Sequence, residues 1–146
     1  AQQQAAAAEQ AAQPTVSGDA AADFAAAKKL MLDGEFDAAS RALDAFIQGY
    51  PGDRNLPEAN YLLAETRFVR DDHQGAAAAY AVALRGWPTQ RWAPDGTVKL
   101  ATSLLNLNRN PQACAALAEF DRRYAATAAA SVKTRATALR QRARCS

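Results

Sequence analysis

The stretch FAAAKKLMLDGEFDAASRALDAFIQGYP, residues 24–51, decides the fold of this chain. Its first part, from Phe24 to Leu32, places apolar residues at helical spacing, and Asp33-Gly34-Glu35 then interrupts the pattern. The helical period resumes from Phe36 to Ile47 and stops at Tyr50-Pro51, because proline cannot continue a helix. The stretch therefore predicts two helices joined by a tight turn, which is a helical hairpin.

The same pattern returns twice when the sequence is slid against itself by 37 residues. Tyr50-Pro51 falls on Trp87-Pro88 and then on Tyr124-Ala125. Three of the other matching columns carry large side chains, so an alanine-rich composition alone does not account for the agreement. The period indicates a solenoid of stacked hairpins. The columns that keep their chemical class are Phe24/Tyr61/Val98, Ala27/Ala64/Ala101, Met31/Phe68/Leu105, Ala39/Ala76/Ala113, Ala42/Ala79/Ala116 and Leu43/Tyr80/Leu117.

The repeat divides the chain into a linker and a repeat domain. Residues 1–21 are rich in Ala and Gln and have no apolar stripe, so they are predicted to form a flexible linker. The repeat domain covers residues 22–146, and its last helix, over about residues 128–144, would cap the open end of the stack. The predicted fold class is all-α. The three hairpins occupy about residues 22–56, 57–93 and 94–127.

The composition of the 146 residues supports helices and argues against several other classes. Alanine supplies 39 of them, about 27%, and has the best intrinsic helix propensity, so a β-sandwich or barrel is not expected. The formal net charge of +2 does not suit a protein specialised for polyanions. No apolar run approaches the roughly 20 residues that span a bilayer. The chain begins with Ala and not Met, which suggests a processed or truncated chain.

The repeat resembles the tetratricopeptide repeat. The shared features are the pair Leu63-Ala64, the turn Gly34 to Phe36, Ala39 in the second helix, and the terminal Pro51 and Pro88. The period exceeds the usual 34 residues because of longer turns between hairpins. The run YPGDRNLPEANYLLAE, residues 50–65, is similar to one subfamily, the C-terminal repeat domain of the Tol-Pal system protein, also called cell division coordinator CpoB or YbgF.

The resemblance implies a right-handed α-solenoid that works as a non-enzymatic adaptor in the periplasm of Gram-negative bacteria. Members of the family bind TolA near Pal and coordinate peptidoglycan synthesis, by a class A penicillin-binding protein, with outer-membrane constriction during cell division. The full-length family chain has a signal peptide and an N-terminal coiled coil that forms trimers. The isolated repeat domain is therefore expected to be monomeric, and a structural repeat subunit of an outer-membrane protein assembly complex is the alternative.

The first helix of each hairpin lines the concave face in this repeat class, so the resemblance also predicts a partner-binding groove. An apolar peptide or helix, held by a few hydrogen bonds, would suit its mixture of aromatic and polar residues. The alternative for Met31, Phe68 and Leu105 is that they pack under the neighbouring hairpin. The predicted groove residues are Phe24, Lys28, Met31, Tyr61, Glu65, Phe68, Val98, Thr102 and Leu105.

The two cysteines, Cys114 and Cys145, are predicted to form a disulfide. Cys114 lies early in the second helix of the third hairpin, and an antiparallel capping helix would bring Cys145 back beside it. The oxidising periplasm would allow the bond, and two unpaired thiols are the alternative. Two thiolates do not complete a zinc site, so no metal is expected.

No catalytic arrangement is recognisable in the sequence. It contains no Gly-rich phosphate loop, no Ser/His/Asp or Cys/His set and no carboxylate pair in a familiar frame, so no enzymatic activity and no cofactor are expected. Basic residues make the last helix cationic, as a solvated face or as a weak contact to anionic lipid or peptidoglycan. They are not interleaved with aromatic residues, so nucleic acid is not an expected partner.

Overall fold

A computed structural model describes residues 16–146, and this range folds into seven α-helices joined by short loops, with no β-strand. The all-α fold predicted from the sequence is confirmed. Residues 1–15 of the predicted linker lie outside the described residues. The helices are α1 (Ala20–Leu32), α2 (Phe36–Gly49), α3 (Leu56–Val69), α4 (His73–Gly86), α5 (Ala93–Asn106), α6 (Asn110–Arg123) and α7 (Ala130–Ala143).

Successive helices pack as three hairpins in a series, as expected for a solenoid of tetratricopeptide-like repeats. Helices α1 and α2, α3 and α4, and α5 and α6 form the hairpins, and each second helix also packs on the first helix of the next hairpin. Helices α3 and α5 contact each other directly, whereas α4 and α6 make less contact. The second and third hairpins therefore approach each other more closely along their first helices than along their second helices.

Each hairpin turn contains one residue in the left-handed backbone region, at positions separated by the repeat period. Gly34 has φ 78°, Asp71 has φ 58° and Asn108 has φ 59°. Gly adopts this region without steric cost, and Asp and Asn are among the few other residues that tolerate it. These residues thus form the turns that fold each second helix back on the first.

Buried alanines allow the helices to cross closely. Ala27, Ala64 and Ala101 on the first helices are fully buried. Their counterparts Ala39 and Ala76 on the second helices are equally buried. A methyl side chain at a crossing point keeps two helix axes close, and the larger side chains fill the space on either side. Alanine in these columns is therefore a packing requirement and not only a helix-propensity effect.

Two hydrophobic clusters make up the core. The first surrounds Leu43, Phe46 and Tyr80 in the first two hairpins, and the second surrounds Leu117 and Phe120 in the third hairpin and α7. Leu84 of α4 packs against both clusters and so joins them. The three hairpins and the last helix therefore share one continuous apolar interior.

The last helix closes the stack and ends beside α6. It packs on α5 and α6 through Ala136, Leu139 and Ala143, which are all buried. The sulfur atoms of Cys114 and Cys145 lie 2.06 Å apart, at disulfide-bonding distance. The pair predicted from the sequence is thus brought together by an antiparallel last helix. None of the helices that the structure describes is both long enough and apolar enough to cross a membrane.

Contacts with the first hairpin are present before residue 22, where the repeat domain is predicted to begin. Ser17 donates from its backbone N–H to Asp23 Oδ2 (2.8 Å), and Gly18 donates to Tyr50 Oη (2.9 Å). Asp19 then caps α1 by accepting a hydrogen bond from the N–H of Ala22. These contacts attach residues 17–19 to the first hairpin.

Candidate partner-binding face

The first helices of the three hairpins present a continuous surface, called here the inner face and formed by side chains of α1, α3 and α5. Ion pairs cross from one helix to the next on this surface. Lys28 of α1 lies 3.2 Å from Glu58 of α3, and Lys99 of α5 lies 2.8 Å from Glu65 of α3. The inner face is therefore a single surface made by all three hairpins.

A connected polar network occupies the part of the inner face between the second and third hairpins. Lys99 donates hydrogen bonds to both carboxylate oxygens of Glu65, at 3.0 and 2.8 Å, and its Nζ lies 3.1 Å from Asp95 Oδ2. Arg135 of α7 donates to Asp95 Oδ1 at 2.5 Å. The network thus ties the capping helix to the inner face.

Two tyrosines complete this network. Tyr61 donates to Asp95 Oδ2 at 3.1 Å, and Tyr80, which is fully buried on α4, donates to Glu65. The Tyr61 ring also stacks on Trp92, with ring centroids 4.7 Å apart and planes 7° from parallel. Aromatic packing therefore fixes the orientation of Tyr61 on this face.

The protonation states in this network are held by burial and by neighbouring charge. Burial alone would raise the pKa of Asp95, but the hydrogen bond from Arg135 and the charge of Lys99 outweigh it, so the pKa lies below its ordinary value. Burial opposes the charge of Lys99, yet Glu65 and Asp95 raise its pKa. Burial, followed by the carboxylate charges, raises the pKa of Tyr61, which therefore stays a hydrogen-bond donor.

The inner face is close to electrically neutral. In the network, Glu65 and Asp95 are balanced by Lys99 and Arg135, and the pair between Lys28 and Glu58 is also balanced. A neutral surface with oriented aromatic rings favours recognition by shape, apolar contact and hydrogen bonds over recognition by net charge.

The predicted groove residues fall into three groups in the structure. Lys28, Tyr61 and Glu65 reach the inner face, with the Lys28 side chain 44% exposed and its Nζ 5.3 Å from the centroid of the Phe24 ring. Phe24 and Val98 do not line the groove, because they are 6% and 1% exposed and belong to the core. Their side chains therefore lie under the surface of the inner face, and a role for them in partner binding stays a prediction.

The remaining predicted residues are partly buried. Phe68 packs against the first core cluster and Leu105 against the second. Phe68 also lies beneath Lys99, whose Nζ is 5.7 Å from the ring centroid. Thr102 donates its hydroxyl to the backbone oxygen of Val98, and Met31 is partly exposed. Phe68 and Leu105 therefore connect the first helices to the core.

Sequence reasoning missed Asp95, Lys99, Arg135 and Trp92. Asp95 and Lys99 are four residues apart on α5, a spacing that pairs opposite charges on one helix face, so this part of the network carried a signal. The partners on other helices carried none, because their contact depends on how the hairpins rotate against each other. Trp92 lies just before α5, where its ring reaches Tyr61 from outside the helical pattern.

The described residues contain no group of three or more His, Cys, Asp or Glu side chains that could hold a metal ion. No protein-family model matches the chain, and no curated protein matches it. Membership of the Tol-Pal repeat family therefore stays a prediction from the sequence, while the stacked helical hairpins are a property of the structure.

Proposed function

We propose that this protein is a non-enzymatic adaptor whose inner face binds a segment of a partner protein. The observation that carries the proposal is the inner face itself, which all three hairpins build and which ion pairs and stacked aromatic rings hold in place. A surface that is already ordered loses little conformational entropy when a partner binds. An adaptor needs such a surface and needs no reacting groups.

The proposed partner is TolA, and the proposed setting is the Tol-Pal system of the periplasm. This part of the proposal comes from the resemblance of residues 50–65 to the Tol-Pal repeat family. The protein would bind TolA near Pal and coordinate peptidoglycan synthesis by a class A penicillin-binding protein with outer-membrane constriction at division. The cysteine pair at bonding distance is compatible with an oxidising compartment outside the cytoplasm.

The exposed surface supports an adaptor over a permanently buried subunit. Among the described residues, the large apolar side chains that are exposed are Val16, Leu32, Val69 and Val82. A subunit of an outer-membrane assembly complex would be expected to show a large contiguous apolar patch instead. The polar and balanced inner face is more typical of a surface that is exposed to water between binding events.

Calorimetric titration with the periplasmic part of TolA tests this proposal. The unmodified protein is expected to bind with micromolar affinity, and both Lys28→Glu and Tyr61→Ala are expected to weaken binding at least about tenfold, a loss of about 1.4 kcal/mol. Lys29→Glu is the matched control, because it makes the same charge change one residue away, on a side chain that is 76% exposed and paired with Asp33.

The outcomes separate the proposal from its alternatives. Circular dichroism must show that each variant remains helical. Equal loss of binding in the Lys29 and Lys28 variants would remove the inner face as the site. No heat with the folded, unmodified protein would rule out TolA recognition by this chain, and self-association in its place would favour the subunit of an assembly complex.

A further inference from the structure

A second groove lies on the opposite side of the stack, between α4 and α6 and above α5. This outer groove has a volume of about 390 Å³, and an adjoining space of about 540 Å³ continues it over the loop before α5. Small or flat side chains leave the space open. Its apolar lining is formed by Ala81, Leu84, Pro88, Leu100, Ala116 and Tyr124.

The wall of the outer groove is fixed. Tyr124 donates its hydroxyl to the backbone oxygen of Pro88 at 2.6 Å, which ties the end of the third hairpin to the loop that follows the second. Leu84 is anchored because it packs against both core clusters. The groove is therefore a formed cleft between two packed hairpins and does not depend on mobile side chains at its base.

The rim of the outer groove is positively charged. Arg85 and Arg123 line the first space, and Arg91 and Arg123 line the second. Glu119 is the acidic lining residue, and it is already paired with Arg122 and Arg123. Among the described residues, no carboxylate lies within ion-pair distance of Arg85 or Arg91.

Helix-end stabilisation does not account for all of these charges. Arg85 and Arg123 lie in the last turns of their helices, where a cation is favoured. Arg91, in contrast, lies in the loop before α5. One repeat earlier, Gln48 and Gly86 occupy the positions of Arg85 and Arg123, so this pair is not a feature of the repeat itself.

The first hairpin shows how a chain segment can lie at the equivalent place. Val16 lines a smaller space of about 160 Å³ on the first hairpin. The other lining residues include Ala26, Ala42 and Ala45. Two repeats later, these three positions are Leu100, Ala116 and Glu119, which line the outer groove. The following residue, Ser17, is held there by hydrogen bonds to Asp23. An irregular segment with an apolar side chain thus packs on this surface within the same molecule.

The place occupied by Val16 differs from the outer groove in one important respect. A methyl group added to Gly49 would come within 2.6 Å of Val16, so the approach of Val16 requires a residue without a side chain. Two repeats later this position is Arg123. The outer groove therefore has an arginine, paired with Glu119, where the first hairpin has the glycine that lets Val16 approach.

We propose that the outer groove binds an extended peptide segment in which apolar side chains alternate with carboxylates. The apolar side chains fill the space between Leu84 and Leu100, and the carboxylates pair with Arg85 and Arg91. This site lies on the other side of the stack from the inner face, so the protein can hold two partners at the same time. The inference does not depend on what binds to the inner face.

Fluorescence anisotropy with three labelled peptides tests the inference at low ionic strength. The peptide Asp-Leu-Glu-Val-Asp-Leu-Glu is expected to bind at least about tenfold more tightly than one with Lys at the acidic positions or one with Ser at the apolar positions. Added salt is expected to weaken its binding, because the ion pairs are exposed.

Variants locate the site. Arg85→Gln/Arg91→Gln is expected to weaken binding of the acidic peptide about tenfold, and Ala81→Leu, which fills the groove without changing charge, is expected to have a similar effect. The matched control is Lys133→Gln/Arg142→Gln, which removes two exposed positive charges from α7 and is expected to change little. Lys28→Glu on the inner face is expected to leave this binding unchanged.

Several results would overturn the inference. They are no binding of the acidic peptide, equal binding of the basic peptide, or equal weakening by the α7 control. Self-association of the protein that Ala81→Leu abolishes would also overturn it, because the occupant would then be a second copy of the chain. Circular dichroism and thermal unfolding of each variant show whether the fold is retained, and Arg85→Gln alone keeps the test valid if Ala81→Leu does not fold.

Discussion

Removing the cysteine pair tests how the last helix is attached. The double variant Cys114→Ser/Cys145→Ser is expected to destabilise the protein by about 3.5–4 kcal/mol in the chain-entropy model, because the pair closes a loop with a sequence separation of 31. This cost is at least as large as the free energy that the main buried contact of α7 contributes. Leu139 is the one large side chain that α7 buries, and burial of a leucine contributes about 1.5–3 kcal/mol.

The loss is expected to fall mainly on α7. A helix of 14 residues is marginal by itself, and in a stack each element contacts only its neighbours. This loss of free energy raises the equilibrium constant for local opening of α7 more than about a hundredfold. Hydrogen exchange should show this acceleration over residues 130–143 and little change over residues 20–49, at the other end of the stack.

Chemical reduction of the unmodified protein is the internal control for this experiment. It is expected to reproduce the exchange pattern of the double variant, because both remove the same covalent link. Unchanged protection of α7 in the reduced protein and in the double variant would refute the reasoning. It would mean that packing of α7 on α5 and α6 is sufficient to hold the helix.

Three further predictions concern the network and the core. Lys99→Ala leaves Glu65 and Asp95 without their shared cation. Because the network is only partly buried, the variant is expected to lower the free energy of unfolding, measured in urea, by about 1–3 kcal/mol. A loss below about 0.5 kcal/mol would contradict this. Asp95 has a lowered folded-state pKa, so its contribution to stability is present above the ordinary value of 3.8 and is lost as pH falls through the lowered value. The Asp95→Asn variant is therefore expected to lose less free energy of unfolding than the unmodified protein between pH 5 and pH 3. An equal dependence of the unfolding free energy on pH in the two proteins would argue against this. Ala64→Leu is expected to destabilise the protein by about 1–3 kcal/mol, because the larger side chain overpacks a buried helix crossing. Ala78→Leu, at an exposed position, should change the thermal unfolding temperature little. Equal effects of the two variants would contradict close helix crossing at Ala64.

The fold could be predicted from the sequence because its main signals are local and repeated. The break at Gly34 has its counterparts one and two periods later at Asp71 and Asn108, and all three residues are left-handed turn residues in the structure. Alanines in register marked the helix crossings. Such contacts link residues close in the chain, so periodicity and turn chemistry were sufficient to place the hairpins.

The inner face could be predicted only in part. Phe24, Tyr61 and Val98 share one column of the repeat, yet only Tyr61 contributes a polar group to the face. Its hydroxyl extends beyond the buried ring to Asp95, whereas Phe24 and Val98 have no group that needs water or a partner. Helical spacing identifies the direction of a side chain but not how far the next hairpin covers it.

The cross-helix ion pairs were beyond sequence reasoning for a related reason. Glu65 and Lys99 are 34 residues apart, and Asp95 and Arg135 are 40 apart. Neither separation equals the period of 37, because each pair joins different turns of two helices. Their contact is set by the rotation of one hairpin on the next, which depends on the whole core.

The most direct test of the central claim is to locate the surface that a partner covers. The protein, labelled with 15N, would be titrated with the unlabelled periplasmic part of TolA, and the amide chemical shifts would be followed. The account predicts changes concentrated on α1, α3 and α5, near Lys28 and Tyr61, with little change on α2, α4 and α6. Changes confined to α2, α4 and α6, or no changes at all, would contradict a partner-binding inner face.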